Sequence, residues 1–192
     1  RMKNPAEAAR LAGLFRSRQA HSRRPRDSMN ARPRPMRPAS DGPRTLQQNC
    51  LRVIPLGGLG EVGRNMTVIE WRDYERDDCD ILLVDAGVRF PEEDMPGVDL
   101  LIPNVRYLED KADKISGMIF THGDFDHIGA LPYIVEKLRN PLIYAAPLTR
   151  GLIIKRQEEF KHLPKLQIDE IKNGDKRKIG VFEVEFIHIN HS

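Results

Sequence analysis

From residue 46 onward, short apolar runs alternate with stretches that have the spacing of helices. Strand-like runs occur at 51–58 and 65–71, and the glycine-rich connection between them is typical of a hairpin. Two nearly continuous apolar runs, at 80–87 and 115–120, predict strands that are buried on both faces. Strands of this kind, separated by stretches with helical spacing, predict an α/β fold.

Three stretches have the spacing of helices: 104–114, 127–138 and 148–161. The clearest is 127–138, because one face of that helix would carry a row of apolar side chains: Ile128, Leu131, Ile134, Val135 and Leu138. A long, proline-interrupted loop is predicted over 88–103. The remaining apolar runs predict three further strands, at 141–147, 166–171 and 178–190.

Charge separates the N-terminus from the rest of the chain. Residues 1–44 contain twelve Arg and Lys against three acidic residues, a net charge of +9, whereas the remainder carries −6. The same stretch holds six prolines and few apolar residues, so it cannot bury enough surface to offset its ordering entropy. We therefore predict a disordered Arg/Pro-rich tail over 1–45, with at most a short helix at 5–16, and a domain over 46–192.

The tail has two functional interpretations. A basic arm attracts polyphosphates through the release of counterions. A solvated linker explains the same composition. The sequence shows no secretory signal and no run long enough to span a membrane, and its two cysteines lack disulfide or zinc spacing. We expect a cytoplasmic protein with no membrane partner. Because the chain begins with Arg and stops directly after a strand-like run, we also expect a piece of a longer protein.

The stretch THGDFDHIGALP (121–132) concentrates imidazoles and carboxylates directly after a predicted strand. Sites in α/β proteins gather beyond the carboxyl ends of strands. Imidazole nitrogen and carboxylate oxygen are ligands for divalent metals. The pattern therefore predicts a metal site that uses His122, Asp124, Asp126 and His127. The alternative is that Asp124 or Asp126 only caps the helix that begins near His127.

The same stretch resembles the metal-binding motif of the metallo-β-lactamase superfamily, His-x-His-x-Asp-His. Segments 55–70, 82–104 and 186–192 are similar to the ribonuclease J family, which belongs to the β-CASP branch of that superfamily. The resemblance covers about 51–192. It implies an α/β fold that is the N-terminal half of a metallo-β-lactamase αββα sandwich, truncated before a later metal-ligand aspartate and the β-CASP domain.

The resemblance also implies a function: metal-dependent hydrolysis of RNA, with RNA as the partner and two divalent ions, zinc in the family, as cofactors. A homo-oligomer is compatible with it for the longer protein. Carried over to this sequence, the first ion is held by His122, position 124 and His191. Asp126 and His127 contribute to the second ion. Asp85 orients the metal loop through hydrogen bonds without binding metal.

One position departs from the family pattern, because Asp124 stands where the family has histidine. Two imidazoles and a carboxylate favour harder ions, such as manganese or ferrous iron, more than three histidines would. Two other functions remain open. One is a different hydrolase of the superfamily, acting on lactones, thioesters or β-lactams. The other is a non-catalytic RNA-binding fragment that works through its basic tail. The similarities at 55–70 and 82–104 favour the ribonuclease.

Overall fold

Six strands form one mixed sheet in the computed structural model, which describes residues 49–191. The predicted tail over 1–45 and the short helix at 5–16 lie outside the described residues. The strands follow the order of the chain across the sheet: β1 (Cys50–Gly57), β2 (Met66–Asp73), β3 (Asp78–Val84), β4 (Ile115–Ile119), β5 (Ile143–Ala145) and β6 (Ile168–Glu170). The pairs β1–β2 and β2–β3 are antiparallel, and the pairs from β3 to β6 are parallel.

The glycine-rich segment after β1 is a hairpin connection, as predicted, because β1 and β2 pair directly across it. Gly58 and Gly63 have φ values of +80° and +91°, which side chains other than glycine rarely adopt. Arg64 follows at +55°. The carboxylate of Glu61 accepts hydrogen bonds from the guanidinium groups of Arg64 and Arg89. The connection is therefore a fixed turn.

The central strand β3 is buried on both faces, as its continuous apolar run predicts. Ile81 and Leu83 face the main core, and Leu82 faces a smaller cluster on the other side of the sheet. The main core also contains the apolar face predicted for 127–138, since all five of its side chains are buried. The α/β prediction is confirmed. No helix within 49–191 is both long and apolar enough to cross a membrane.

The helical stretches are shorter than predicted. They are α1 (Arg106–Glu109), a 3-10 turn at Ala112–Lys114, α2 (Phe125–Ile128), α3 (Leu131–Ile134) and α4 (Pro147–Gln157). The helix predicted over 127–138 is broken between α2 and α3. The His127 carbonyl accepts from Ala86 N at 2.7 Å, and Ala130 N donates to Ala86 O at 2.8 Å, so this backbone bonds to the end of β3. Pro132 also lacks an N–H to continue the helix.

The strand predicted over 178–190 is wrong in extent. The chain instead forms a separate hairpin of β7 (Lys176–Ile179) and β8 (Phe182–Glu185). Gly180 turns the chain with a φ of +58°, and Asp80 accepts a hydrogen bond from Val181 N at 2.8 Å. Residues 186–191 continue outside any strand. The strands predicted at 141–147 and 166–171 are confirmed in position as the shorter β5 and β6.

A buried carboxylate joins the outer strands to the α1 segment. Glu70 on β2 is fully buried and accepts hydrogen bonds from Tyr107 Oη at 2.6 Å and Lys111 Nζ at 2.9 Å. Arg52 lies 3.3 Å from its other oxygen. Burial is the largest influence on the pKa of Glu70 and raises it, but the hydroxyl and the two cations outweigh burial and hold that pKa below its ordinary value.

Candidate metal centre

The loop that follows β4 brings three predicted ligands together. His122 Nε2 lies 3.6 Å from Asp124 Oδ2, and His191 Nε2 lies 3.4 Å from the same oxygen. One potential ligand atom from each residue falls within 4.8 Å of the other two. His191 reaches the loop from the segment after β8, so two distant parts of the chain build this group.

These spacings suit a metal ion. Ligand atoms about 2.1 Å from a tetrahedral ion lie about 3.4 Å from one another. Both distances to Asp124 Oδ2 are close to that value. Two imidazole nitrogens and a carboxylate oxygen are also a donor set that zinc, manganese and ferrous iron accept. The residues present therefore fit a single divalent ion.

A cavity of about 480 Å³ opens beside the group of three. Its apolar walls come from α4, the end of β6 and the segment after β8, with Leu148, Leu152, Ile171 and Phe186. His188 also lines this cavity but is not part of the group of three. Candidate metal ligands that line a partly apolar cavity are the arrangement expected of a site that receives a substrate.

Asp85 orients the imidazoles of the loop from beneath. It lies just after β3, is buried, and accepts hydrogen bonds from Thr121 N at 2.8 Å and from Thr121 Oγ1 at 2.9 and 3.0 Å. His127 Nδ1 is 2.9 Å from Asp85 Oδ2. An ionised carboxylate only accepts, so His127 carries its proton on Nδ1, and its unprotonated Nε2 lies 3.0 Å from Asn65 Nδ2.

Thr121 extends the same effect to His122. Its single hydroxyl hydrogen goes to Asp85, so Thr121 Oγ1 accepts from His122 Nδ1, which lies 2.9 Å away. His122 therefore also presents an unprotonated Nε2, the nitrogen that faces Asp124. One carboxylate thus sets the tautomer of both imidazoles, directly for His127 and through a hydroxyl for His122.

Asp126 and His127 form a second pair beside the first group. His127 Nε2 lies 3.5 Å from Asp126 Oδ2, and the rings of His122 and His127 are 4.0 Å apart between centroids. Asn65, at the end of the hairpin connection, contacts both members of the pair through its amide nitrogen. The second pair therefore lies next to the first group on the same loop, and its role as a second set of metal ligands remains a prediction.

Electrostatics differ at the two imidazoles. Burial, followed by the charge of nearby His127, lowers the pKa of His122 below its ordinary value, against the opposing effect of Asp124. Burial is also the largest influence on His127 and lowers its pKa. However, the hydrogen bond to Asp85 and the charges of Asp85, Asp126 and Asp124 outweigh it, so the pKa of His127 is raised. His122 is accordingly neutral at pH 7, the form that binds a cation.

Asp124 does not act as a helix cap. It occupies the position before the first residue of α2, but its side chain makes no hydrogen bond to that helix. Its carboxylate instead faces His122 and His191. The sequence did not identify Thr121 or Asn65 as part of the site. Thr121 is the first residue of the motif and could have been found there. Asn65 is 61 residues from its partner Asp126, so no pattern near the motif pointed to it.

The fold and this constellation agree with a comparison of the sequence with known families. The profile described as the metallo-β-lactamase superfamily matches residues 59–190. The chain belongs to the metallo-β-lactamase superfamily. The prediction of a metallo-β-lactamase α/β fold is confirmed by this match.

Ribonuclease J proteins are among the curated relatives of this metallo-β-lactamase chain. Ribonuclease J of Mycobacterium tuberculosis is 38% identical over 150 residues, which are 78% of this chain and 25% of that protein. Ribonuclease J of Thermus thermophilus is 42% identical over 151 residues, 76% of this chain and 25% of that protein. The predicted resemblance to ribonuclease J is confirmed. The chain spans about a quarter of the length of these relatives.

Among solved structures, Zn²⁺-bound PqqB from Methylobacterium extorquens matches 66% of this chain and 43% of its own, with a TM-score of 0.44 and 14% identity. The superfamily is one whose fold binds divalent metals.

Proposed function

We propose that this chain is part of a metal-dependent ribonuclease of the ribonuclease J type, which hydrolyses RNA phosphodiester bonds in RNA processing and decay. The observation that carries the proposal is the pairing of two features. The body of the chain is 38–42% identical to ribonuclease J of two bacteria. At the end of β4, three candidate ligand atoms stand at the spacing of a metal site.

The proposed ligands divide into two sets. His122, Asp124 and His191 hold the first divalent ion, and Asp126 and His127 contribute to the second. Asp85 orients these side chains without touching metal. Zinc is the ion of the family, and the carboxylate of Asp124 also makes manganese or ferrous iron suitable.

The chemistry that such ions supply when bound is the activation of water and the neutralisation of charge on a phosphodiester. The chain's own residues prepare the site for it. Asp85 and Thr121 hold His122 and His127 in the tautomer whose Nε2 carries no proton. Leu148 and Leu152 form an apolar wall of the cavity beside the ligands, and both side chains are exposed to solvent in this chain.

The basic tail has a place in this proposal. Residues 1–45 would be an Arg/Pro-rich arm, and residues 46–192 part of a metallo-β-lactamase domain whose charge is negative overall. An arm with a net charge of +9 over 1–44 attracts the RNA backbone, which an acidic body does not.

The test is hydrolysis of a 5′-labelled single-stranded RNA by the protein that contains this sequence, with added Mn²⁺ or Zn²⁺ and with EDTA. We expect cleavage that requires metal and is lost in His122→Ala and His191→Ala. The matched control is His162→Ala, which removes an exposed histidine outside the candidate site.

A lactone and a thioester substrate, tested in parallel, distinguish the two other functions. Hydrolysis of either small substrate without hydrolysis of RNA would identify a different hydrolase of the superfamily. RNA binding with a steep salt dependence, but no cleavage with any metal, would identify a non-catalytic RNA-binding protein. Cleavage that persists in His122→Ala and in EDTA would refute the metal site.

A further inference from the structure

The hairpin connection between β1 and β2 reaches the second pair of candidate ligands. Asn65 Nδ2 lies 3.0 Å from Asp126 Oδ2, 3.1 Å from Asp126 O and 3.0 Å from His127 Nε2. The backbone is tied down as well, because Asn65 N donates to Asp126 O at 3.2 Å and Asn65 O accepts from Gly87 N at 2.9 Å. One residue therefore bonds to both the metal loop and the end of β3.

The side-chain amide of Asn65 has fewer hydrogens to donate than it has acceptors nearby. An asparagine amide has two N–H hydrogens, and Asn65 has three acceptors within reach: Asp126 O, Asp126 Oδ2 and His127 Nε2. If His127 gives its Nε2 lone pair to a cation, two acceptors still remain for the two hydrogens. The Asn65 amide can thus give up its hydrogen bond to His127 Nε2 and still hold the Asp126 carboxylate in place.

Two glycines, Gly58 and Gly87, make room for the close contacts of Asn65 and Asp126. A Cβ atom at Gly58 would lie 2.4 Å from Asn65 Oδ1, closer than real Cβ contacts come. A Cβ atom at Gly87 would lie 1.4 Å from Asp126 O, so the end of β3 approaches the metal loop as closely as only glycine allows. The hairpin connection, the end of β3 and the loop after β4 are therefore closely packed at Gly58, Asn65 and Gly87.

We propose that Asn65 is a positioning residue of the second metal site, which holds the Asp126 carboxylate beside His127 before the cation arrives. This inference rests on the proposed function, in which Asp126 and His127 serve a second ion. The competing interpretation is that the contacts of Asn65 only stabilise the hairpin. The two differ in what they predict, because only a positioning residue changes the affinity of one metal site and not the other.

The experiment is a Co²⁺ titration of the protein that contains this sequence, followed by visible absorption and checked by elemental analysis. The parent should bind two ions. Asn65→Ala should weaken the second binding step by about ten- to a hundredfold, the size seen when a group that orients a ligand is lost. The first step, at His122, Asp124 and His191, should stay within about twofold of the parent.

A pair of glycine variants tests the same contact without changing Asn65. Gly58→Ala should also weaken the second step, because its methyl group would displace the amide. Gly60→Ala is the matched control: its φ is +75°, close to the +80° of Gly58, but nothing lies within 4 Å of where its Cβ would be. Gly60→Ala should lower the melting temperature and leave both binding steps unchanged.

Melting curves in EDTA separate stability from metal binding for every variant. The inference is overturned if Asn65→Ala binds both ions as the parent does, if it weakens both steps equally, or if the parent binds a single ion. In the first two cases the first site and the proposed function are unaffected. A parent with a single ion leaves the first site in place but removes the second ion from the proposed function. A parent that binds no cobalt overturns the proposed function and this inference together.

Discussion

Asp85 has the most connected side chain of the site, and its backbone has a φ of +62°, in the left-handed region. Aspartate tolerates that region better than most residues. The conformation lets the chain leave β3, while Asp85 N still donates to Ile119 O at 2.9 Å. The carboxylate then accepts from Thr121 and His127. The family resemblance predicted an orienting role for Asp85. It did not predict that Thr121 links Asp85 to His122, because a hydroxyl residue next to a histidine is common in sequences.

At the residue scale, Asp85 should affect both metal sites and Thr121 only the first. Asp85→Asn should weaken both metal-binding steps by about ten- to a hundredfold, because it alters the partner of His127 and of Thr121. Thr121→Val keeps the shape of the side chain but removes the hydroxyl next to His122, so it should weaken the first step alone. The measurement is the same two-step metal titration. Unchanged affinity in Asp85→Asn would contradict the orienting role.

Asp124 provides a second prediction at this scale. Asp124→Ala should remove the first ion from the protein, whereas Asp124→His should bind it and shift preference toward zinc, since imidazole suits zinc and carboxylate suits harder ions. Because Asp124 makes no capping hydrogen bond to α2, Asp124→Ala should leave the melting temperature in EDTA nearly unchanged. Elemental analysis gives the number of metal ions bound by the parent and by both variants. Equal metal content in all three would reject Asp124 as a ligand.

At the scale of elements, the sequence predicted the existence of strands better than the extent of helices. The strands β1 to β4 follow directly from apolar runs, which burial in the sheet requires. The helix predicted over 127–138 has the right buried face but is interrupted, because the backbone near Ala130 bonds to Ala86, 44 residues earlier in the chain. The hairpin at Gly180 was missed because the turn depends on Asp80, which is also remote. Remote partners leave no local pattern.

The buried Glu70 network yields a prediction about pH. Its pKa is lowered in the folded protein, so its contribution to stability is present above the ordinary value of 4.5 and is lost as pH falls through the lowered value. Tyr107→Phe removes a hydroxyl that lowers this pKa. It should cost about 1 kcal/mol of unfolding free energy at pH 7 and move the acid unfolding midpoint to higher pH.

The matched control for that prediction is Tyr74→Phe. The Tyr74 hydroxyl forms no hydrogen bond with any other residue that the structure describes, so this variant removes the same atom without touching Glu70. Acid unfolding followed by circular dichroism provides the midpoint. If Tyr107→Phe and Tyr74→Phe unfold at the same pH as the parent, Glu70 does not govern acid stability.

At the scale of the whole molecule, the basic tail and the acidic body should have different functions. The tail should bind RNA, and the body should hold the metal site. Deletion of residues 1–44 removes a net charge of +9 and should weaken RNA binding and flatten its dependence on salt. It should not lower the melting temperature of the body, whose core lies within 49–191. A tail with its arginines replaced by glutamine controls for length. RNA affinity that is unchanged at every salt concentration would assign the tail to a linker.

The central claim is that His122, Asp124 and His191 hold a divalent metal ion, and the most direct test counts that ion. The 192-residue chain is equilibrated with Zn²⁺ or Mn²⁺, freed of loosely bound metal and measured by elemental analysis, beside His122→Ala, His191→Ala and the exposed control His162→Ala. We expect each of the first two variants to contain one ion fewer than the parent, and His162→Ala to contain as much as the parent. Equal metal content in all four proteins would show that His122 and His191 do not hold the ion.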